Sequence, residues 1–575
     1  MLIFEVLCSK RMVRNAVAVA IALTIAGGSL GRGQTRPTAE AASAPRAAPA
    51  VIPRPVKLSL EAGQFNAGPA TTLRIAPGAE DAREAAAFLG SWLPRTAGGA
   101  PPVGLMADEG EEPGILFTKR GTKPEWGDEG YGLQITPKQV LIRANAAPGF
   151  FYGCQTLRQL LPPGAGKASD APATRNLALP CVEIVDFPRF GWRGLMLDSS
   201  RHFQDKEFIE RLLDVMALYK LNRFHWHLID ANAWRLEIKR YPELAKKGSW
   251  RGTNAVGDSG WYSQEDVREI VAYARRRNIE VIPEVEMPAH TAAALYVFPQ
   301  LTCTGKPFEP GEPGLDYFTK NTTNLPYCAG KEATFEFLQN VLTEVAMLFD
   351  SPYIHVGGDE RPEGSWEQCP DCQARMKAVG AKDEHDLQNY FMRRITDFLA
   401  TKGRRVISWA VTRSDRYDPK DMDDLGHDAI IQNWHEGTRF AATQGWDVIN
   451  SANRYVYLDY PEFPGMGKPD WMPLLPLEKV YQFEPLPGGL EAEAAKHVWG
   501  GEACLWTEEV PQEKVFATLF PRLLALAEVT WTPVAERDFK DFTARVNLNA
   551  ASLKAMGVEY GRPPEGTPRL ESKPE

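Results

Sequence analysis

WRGLMLDSSRHFQDKEFIERLLDVMALYKLNRFHWHLID, residues 192–230, reads as a strand, a helix and a second strand. GLMLD, Gly194–Asp198, is a short apolar run closed by an acid. Lys206–Tyr219 places Phe208, Leu212, Val215 and Tyr219 on one face at helical spacing. Asn222–Asp230 returns to a strand pattern. A strand joined to the next through a helix is the connection that parallel strands require. The same texture continues downstream. Helices are predicted over Ser263–Arg277, opened by a Ser263/Asp266 capping box, then over Glu332–Phe349, His385–Lys402 closed by Gly403, and Lys514–Val529. Strands are predicted over Ile279–Val285, Tyr353–Gly357, Arg405–Trp409, Ala429–Trp434, Asp447–Ser451 and Ala503–Trp506. Eight strands interleaved with helices argue for an α/β protein with a (β/α)8 TIM barrel as its main domain. A doubly wound open sheet is the alternative, but no Gly-rich phosphate loop follows the first strand.

Upstream, residues 51–185 mix short strands (Thr72–Ile75, Gly114–Thr118, Gly132–Thr136, Gln139–Arg143) with helices over Asp81–Leu93 and Gly153–Leu161. They form a small α/β domain preceding the barrel, with no catalytic constellation. The barrel is assigned to 186–545 and a C-terminal helix and tail to 546–575. Residues 35–50, rich in Ala and Pro, read as a disordered tether. Residues 1–34 read as a secretory signal: Lys10, Arg11 and Arg14 precede the apolar run Ala16–Ala26, and small residues follow. The expected location is therefore periplasmic or extracellular. The apolar run is too short for a comfortable membrane span, and no later stretch approaches one.

The net charge of −9 with no basic run excludes nucleic acid as an expected partner. Seven cysteines follow the signal region. Cys303 and Cys328 bracket a Gly/Pro-rich loop and are a candidate disulfide. Cys369 and Cys372 form a CxxC with no second CxxC and no His pair nearby, so spacing gives a four-ligand zinc site little support.

Barrel enzymes carry their chemistry at the C-terminal ends of the strands. In this chain those ends carry Asp198, His225, His227, Asp230, Glu284, Glu286, His290, Asp359, Glu360, Trp409, Trp434, Tyr457, Asp459, Trp506 and Glu508. HVGGDE, His355–Glu360, is the sharpest of these ends. Its glycines let backbone and ligand approach closely, and its neighbouring carboxylates disfavour double ionisation. A carboxyl still protonated near neutrality can protonate a leaving oxygen, which fits glycoside cleavage. A divalent metal on Asp359, Glu360 and His290 is the rival reading, but the HExxH spacing of familiar zinc enzymes is absent. Retaining glycosidases set two carboxyls ~5 Å apart across the scissile bond, which sequence neighbours suit poorly. A 2-acetamido sugar removes that requirement, because its own carbonyl oxygen can attack the anomeric carbon.

WRGLMLDSSRHF, NRFHWHLID, PEVEMPAH (Pro283–His290), HVGGDE, QNWHEG (Gln432–Gly437), YLD (Tyr457–Asp459) and GGEACLWTE (Gly500–Glu508) together resemble glycoside hydrolase family 20, the β-N-acetylhexosaminidases. The resemblance implies an exo-acting, retaining enzyme that removes terminal N-acetylglucosamine or N-acetylgalactosamine from glycans or chitooligosaccharides, with no metal or organic cofactor. It implies Glu360 as general acid and then base, Asp359 as the group that orients the acetamido N–H, and Tyr457 as donor to the acetamido oxygen. Trp409, Trp434 and Trp506 would wall the pocket, with Trp471 as a further wall. Arg193 and Glu508 would bind ring hydroxyls, and Asp459 would contact O4 or O6. Asp230 and His290 would bind substrate, His290 also tuning the acid, with Glu286 and His227 in support behind them. Where the family reads PEIDMPGH this chain has Glu286 and Ala289, and Ala231 stands where a second acid is common.

Overall fold

The computed structural model describes residues 49–93, 103–106, 113–162, 176–249, 259–307, 325–410, 426–466, 468–469 and 471–558. The expected signal segment and nearly all of the tether lie outside these residues, as does the chain after 558.

The N-terminal domain is a seven-stranded sheet. Its strands are β1 (Lys57–Ala67), β2 (Leu73–Ile75), β3 (Val103–Leu105), β4 (Gly114–Thr118), β5 (Tyr131–Ile135), β6 (Gln139–Ala144) and β7 (Leu177–Asp186), in the order β1-β7-β5-β6-β4-β2-β3. β1, β3 and β7 escape the sequence reading, and for β1 the reason is physical. β1 is an edge strand in which only Phe65 and Ala67 are buried, and its register slips between Leu60 and Gln64. Such a strand has no clean alternation to detect. Helix Ala147–Leu160 starts earlier than its Leu spacing suggests, with Pro148 in the first turn where a missing N–H is harmless.

The second domain is a closed barrel of parallel strands: β8 (Trp192–Asp198), β9 (Arg223–His227), β10 (Glu280–Met287), β11 (Tyr353–Gly357), β12 (Arg405–Trp409), β13 (Ile430–Asn433), β14 (Asp447–Asn450) and β15 (Val498–Leu505), with β15 pairing back onto β8. Asp205 caps helix Lys206–Leu218 by accepting from the Phe208 N–H, and the Ser263/Asp266 capping box opens helix Gln264–Arg275. β15 starts before the predicted Ala503, at Val498. Gly500 makes this possible, because a Cβ there would lie 2.0 Å from the Trp192 carbonyl oxygen on β8. The predicted helix Lys514–Val529 is two helices, Gln512–Leu519 and Arg522–Trp531, separated at Pro521. Helix Phe539–Ala555 crosses the boundary drawn at 545/546. Its Arg545 makes two 2.7 Å bonds to buried Glu528 and also reaches the Val51 carbonyl.

A buried polar layer joins the small domain to the N-terminal end of the barrel. Lys220 pairs with Asp186 at 2.8 Å, and the Trp531 indole donates to the same carboxylate. Arg193 belongs to this layer. Its guanidinium is fully buried, donates to Glu129 at 2.7 and 2.9 Å, and also bonds the Phe190 and Lys220 carbonyls. The expectation that Arg193 binds sugar hydroxyls is therefore corrected. It sits at the start of β8, at the end of the barrel opposite the strand tips, and fastens the two domains.

Candidate active site

A cavity of about 350 Å³ opens at the C-terminal end of the barrel. Its walls include Arg201, His227, Asp230, Glu286, His290, Asp359, Glu360, Trp409, Trp434, Tyr457, Asp459, Trp471, Trp506 and Glu508. Every residue expected from sequence to bind sugar or act on it, except Arg193, is among them.

The floor is polar. Glu284 at the centre of β10 is fully buried, 2.8 Å from His355 Nδ1 and 3.1 Å from His225 Nε2, and it accepts the Trp409 indole N–H at 2.7 Å. Buried Glu502 accepts from the Trp192 indole and the Gln432 amide, each at 2.8 Å, and pairs with His225 Nδ1. These carboxylates hold the side chains above them in fixed orientations. Their signal in the sequence is a charged residue inside an otherwise apolar strand.

Above the floor runs a chain of ion pairs. Glu284 contacts His227 Nδ1, and His227 Nε2 lies 3.0 Å from Asp230 Oδ2. Asp230 Oδ1 lies 3.3 Å from His290 Nδ1, and His290 Nε2 lies 3.3 Å from Glu360 Oε2 and 4.0 Å from Asp359 Oδ2. Burial opposes a charge on His290, yet Asp230 and the Glu360 hydrogen bond prevail and hold its pKa well above the usual imidazole range. His290, Asp359 and Glu360 place ligand atoms within 4.8 Å of one another. A histidine held protonated between carboxylates is not in its ligand form, so the trio suits proton handling better than a cation.

The turn after β11 aims the two carboxylates differently. Gly357 and Gly358 have φ of 67° and 111°, and Glu360 itself has φ of 47°. A Cβ on Gly357 would lie 1.7 Å from Glu286 Oε1, so only glycine lets the β11 turn settle on Glu286. Glu286 in turn accepts the Gly358 N–H at 3.2 Å. Burial, then the charge of Asp359, pushes Glu286 well above the usual carboxylate range, so it is a neutral prop under this turn. Asp359 points inward with a side chain 16% exposed, whereas that of Glu360 is 50% exposed at the mouth. Burial raises Asp359 to about 6, and the His290 hydrogen bond lowers Glu360. In the free protein this reverses the order expected from sequence, because adjacency of like charges counts for less than where each side chain points.

Beside Asp359 is an aromatic box. Tyr457 stacks 6.5 Å from Trp434 at 14°, and Trp506 lies 5.9 Å from Trp409 and 6.2 Å from Tyr457. Burial keeps the Tyr457 hydroxyl protonated and therefore a donor. Asp359 Oδ1, Asp459 Oδ1 and the Trp434 indole nitrogen are buried and have no hydrogen-bond partner among the described residues. Burial, then Glu508, raises Asp459 to about 8, so it can donate as well as accept near neutrality. Trp471 stands at the rim, 69% exposed and edge-on to Tyr460 at 6.1 Å.

Arg201 brings a guanidinium into this pocket. It is 2.8 Å from Asp230, 3.3 Å from Asp198 and 3.8 Å from Glu508, and it lies over the Trp506 ring. Both arginines belong to the WRGLMLDSSRHF stretch, and the expected role fell on Arg193. The distinguishing signal was position: Arg201 follows the tip of β8, where barrel sites form, and Arg193 precedes it.

With this geometry in view, comparison with known proteins is decisive. Residues 190–534 match the catalytic domain of glycosyl hydrolase family 20, and residues 48–187 match that family's domain 2. The chain belongs to glycosyl hydrolase family 20. A β-hexosaminidase of Porphyromonas gingivalis is 39% identical over 528 residues, covering 89% of this chain. The chain spans just under two thirds, 64%, of that relative's own length. Among solved structures, an exo β-N-acetylglucosaminidase of Vibrio harveyi in complex with N-acetylglucosamine superposes with a TM-score of 0.76 at 31% identity, covering 89% of this chain and 78% of its own. A β-N-acetylhexosaminidase of Bacteroides fragilis gives 0.74 at 33% identity, covering 89% and 96%. The small sheet thus corresponds to the family's domain 2 and the barrel to its catalytic domain.

Proposed function

We propose that this family-20 chain is an exo-acting β-N-acetylhexosaminidase. It removes terminal non-reducing N-acetylglucosamine or N-acetylgalactosamine from glycans or chitooligosaccharides, with retention, using the substrate's acetamido oxygen as nucleophile. The observation that carries the reading is the box of Trp409, Trp434, Trp506 and Tyr457 beside the unpartnered Asp359 Oδ1. An apolar box takes the acetamido methyl, the tyrosine donates to its carbonyl oxygen, and a buried carboxylate accepts its N–H. A cavity of about 350 Å³ with a packed floor suits one sugar ring at a chain end.

The steps follow from these placements. The sugar ring lies over Trp506, with its hydroxyls toward Arg201, Glu508 and Asp459. Asp359 and Tyr457 hold the acetamido group so that its oxygen faces the anomeric carbon. Glu360 protonates the glycosidic oxygen as the C–O bond breaks and the oxazolinium ring closes. Asp359 balances the positive charge of that ring. Glu360, now a carboxylate, takes a proton from water, which opens the ring on the face the aglycone left. Substrate binding reverses the carboxylate pKa order: the amide N–H favours ionised Asp359, and covering Glu360 with sugar favours its protonated form.

Release of 4-nitrophenol from N-acetyl-β-glucosaminide and N-acetyl-β-galactosaminide, with none from the matching β-glucoside, supports the reading. Equal turnover of the β-glucoside refutes it. We also propose export by way of the N-terminal Lys/Arg and apolar run. Cell fractionation with N-terminal sequencing of the mature chain tests this, and an intact cytoplasmic chain would contradict it.

A further inference from the structure

We propose that Cys303, Cys328, Cys369 and Cys372 form a tetrathiolate site for zinc beside the turn that carries Asp359 and Glu360. The four residues come from three segments and were not grouped by sequence spacing. Cys303 follows the 3-10 turn Pro299–Leu301, Cys328 precedes helix Glu332–Leu348, and the CxxC opens helix Pro370–Val379. The expectation of a private Cys303–Cys328 pair is corrected, because all four sulfurs lie within 4.8 Å of one another.

The geometry favours a metal over disulfides. Cys328 Sγ is 3.6 Å from Cys369 Sγ and 3.6 Å from Cys372 Sγ, and Cys303 Sγ is 3.8 Å from Cys372 Sγ. Four sulfurs each about 2.3 Å from a tetrahedral zinc stand about 3.8 Å apart along the edges. A disulfide needs about 2.05 Å and an exclusive partner, whereas Cys328 is equidistant from two. Three of the four residues are buried and Cys303 is partly so. Cys369 is the N-cap residue of helix Pro370–Val379, which brings the start of that helix to the cluster. Gly330 admits the close approach: a Cβ there would lie 2.1 Å from the backbone of Asp371, a residue within the CxxC.

The site is wired to the catalytic turn. The Tyr327 N–H donates to the Pro288 carbonyl, two residues before His290, and the Tyr327 carbonyl accepts the Trp366 indole at 3.0 Å. The Trp366 N–H donates to Glu384, which also takes Arg361, the residue after Glu360, at 2.7 Å. An ion at the sulfurs therefore ties the segment bearing His290 to the segment bearing Glu360, and these cysteines act as positioning residues. As zinc binds, thiol protons pass to solvent and no electrons move.

The test uses the full chain without a polyhistidine tag, isolated from its own compartment. Expected are one zinc per chain by elemental analysis, protection of these four thiols from iodoacetamide, and tetrathiolate charge-transfer bands after cobalt(II) exchange. The double variant Cys369→Ser/Cys372→Ser is expected to lose the metal, melt at lower temperature, and show kcat reduced about tenfold or more with KM little changed. If that variant does not fold, the cobalt spectrum of the wild type still decides. Two disulfides with no metal would overturn the proposal. So would four free thiols that take up no zinc when it is supplied.

Discussion

Replacing Asp359 by asparagine separates the demands of the fold from those of the reaction. The Asp359 side chain is 16% exposed, and burial raises its pKa from 3.8 to about 6. A carboxyl whose folded pKa lies above its unfolded value opposes folding once ionised. The penalty is absent below the unfolded value and complete above the folded one. A shift of about 2 pKa units corresponds to about 3 kcal/mol, an upper bound here because His290 and Glu360 share the interaction. The asparagine amide keeps the shape and carries no charge, so Asp359→Asn should unfold in urea with a free energy higher by about 1–3 kcal/mol at pH 7. The gap should narrow as the pH falls from 7 through 6 toward 4. Activity should move the other way. Asp359 faces a positive charge that forms about 4 Å away, worth about 4 kcal/mol at an effective dielectric of 20, or about a thousandfold in kcat. The assays are urea melts at several pH values and kcat on the 4-nitrophenyl N-acetylglucosaminide. A variant that is less stable at pH 7, or that keeps a tenth of wild-type kcat, would show that burial of this carboxylate has been misjudged.

Other consequences are more local. Glu360→Gln should lower kcat by about a hundred- to ten-thousandfold on substrates with poor leaving groups, and much less on a dinitrophenyl glycoside, whose departing oxygen needs no proton; equal losses on both would remove Glu360 from the acid role. Arg193→Met should destabilise the fold by about 3–5 kcal/mol through the stranded Glu129 while KM holds, whereas Arg201→Lys should raise KM at least about tenfold; thermal melts and steady-state kinetics distinguish them. The free protein needs Asp359 ionised and Glu360 protonated, so kcat/KM should be bell-shaped, its upper limb near pH 6 and its lower limb below the ordinary glutamate range. A profile flat from pH 4 to 9 would contradict this. Trp471→Ala, at an exposed rim position, should leave melting unchanged while weakening KM for oligosaccharides more than for aryl glycosides.

What could be read from the sequence depended on what each residue answers to. Strand tips such as Asp359–Glu360 and the Trp409, Trp434 and Trp506 walls were readable, because β/α periodicity fixes which end of a strand a residue occupies. The family resemblance put a sugar contact on Arg193, at the opposite end of β8, where its partner Glu129 comes from the other domain and leaves no local trace. Protonation was not legible, since it follows from side-chain direction: Asp359 is buried and Glu360 faces His290, although they are neighbours in the chain. Edge strand β1 lacked a pattern because most of it faces water. The sulfur cluster was invisible because it assembles from segments up to 69 residues apart.

Whether the substrate supplies its own nucleophile can be read from the rate on aryl β-glycosides whose 2-acetamido group carries zero, one, two or three fluorines. Fluorine withdraws electron density from the carbonyl oxygen while changing the size of the group little. If that oxygen is the nucleophile, held by Asp359 and Tyr457, log kcat falls steeply and linearly along the series. A flat series would return the nucleophile to the protein.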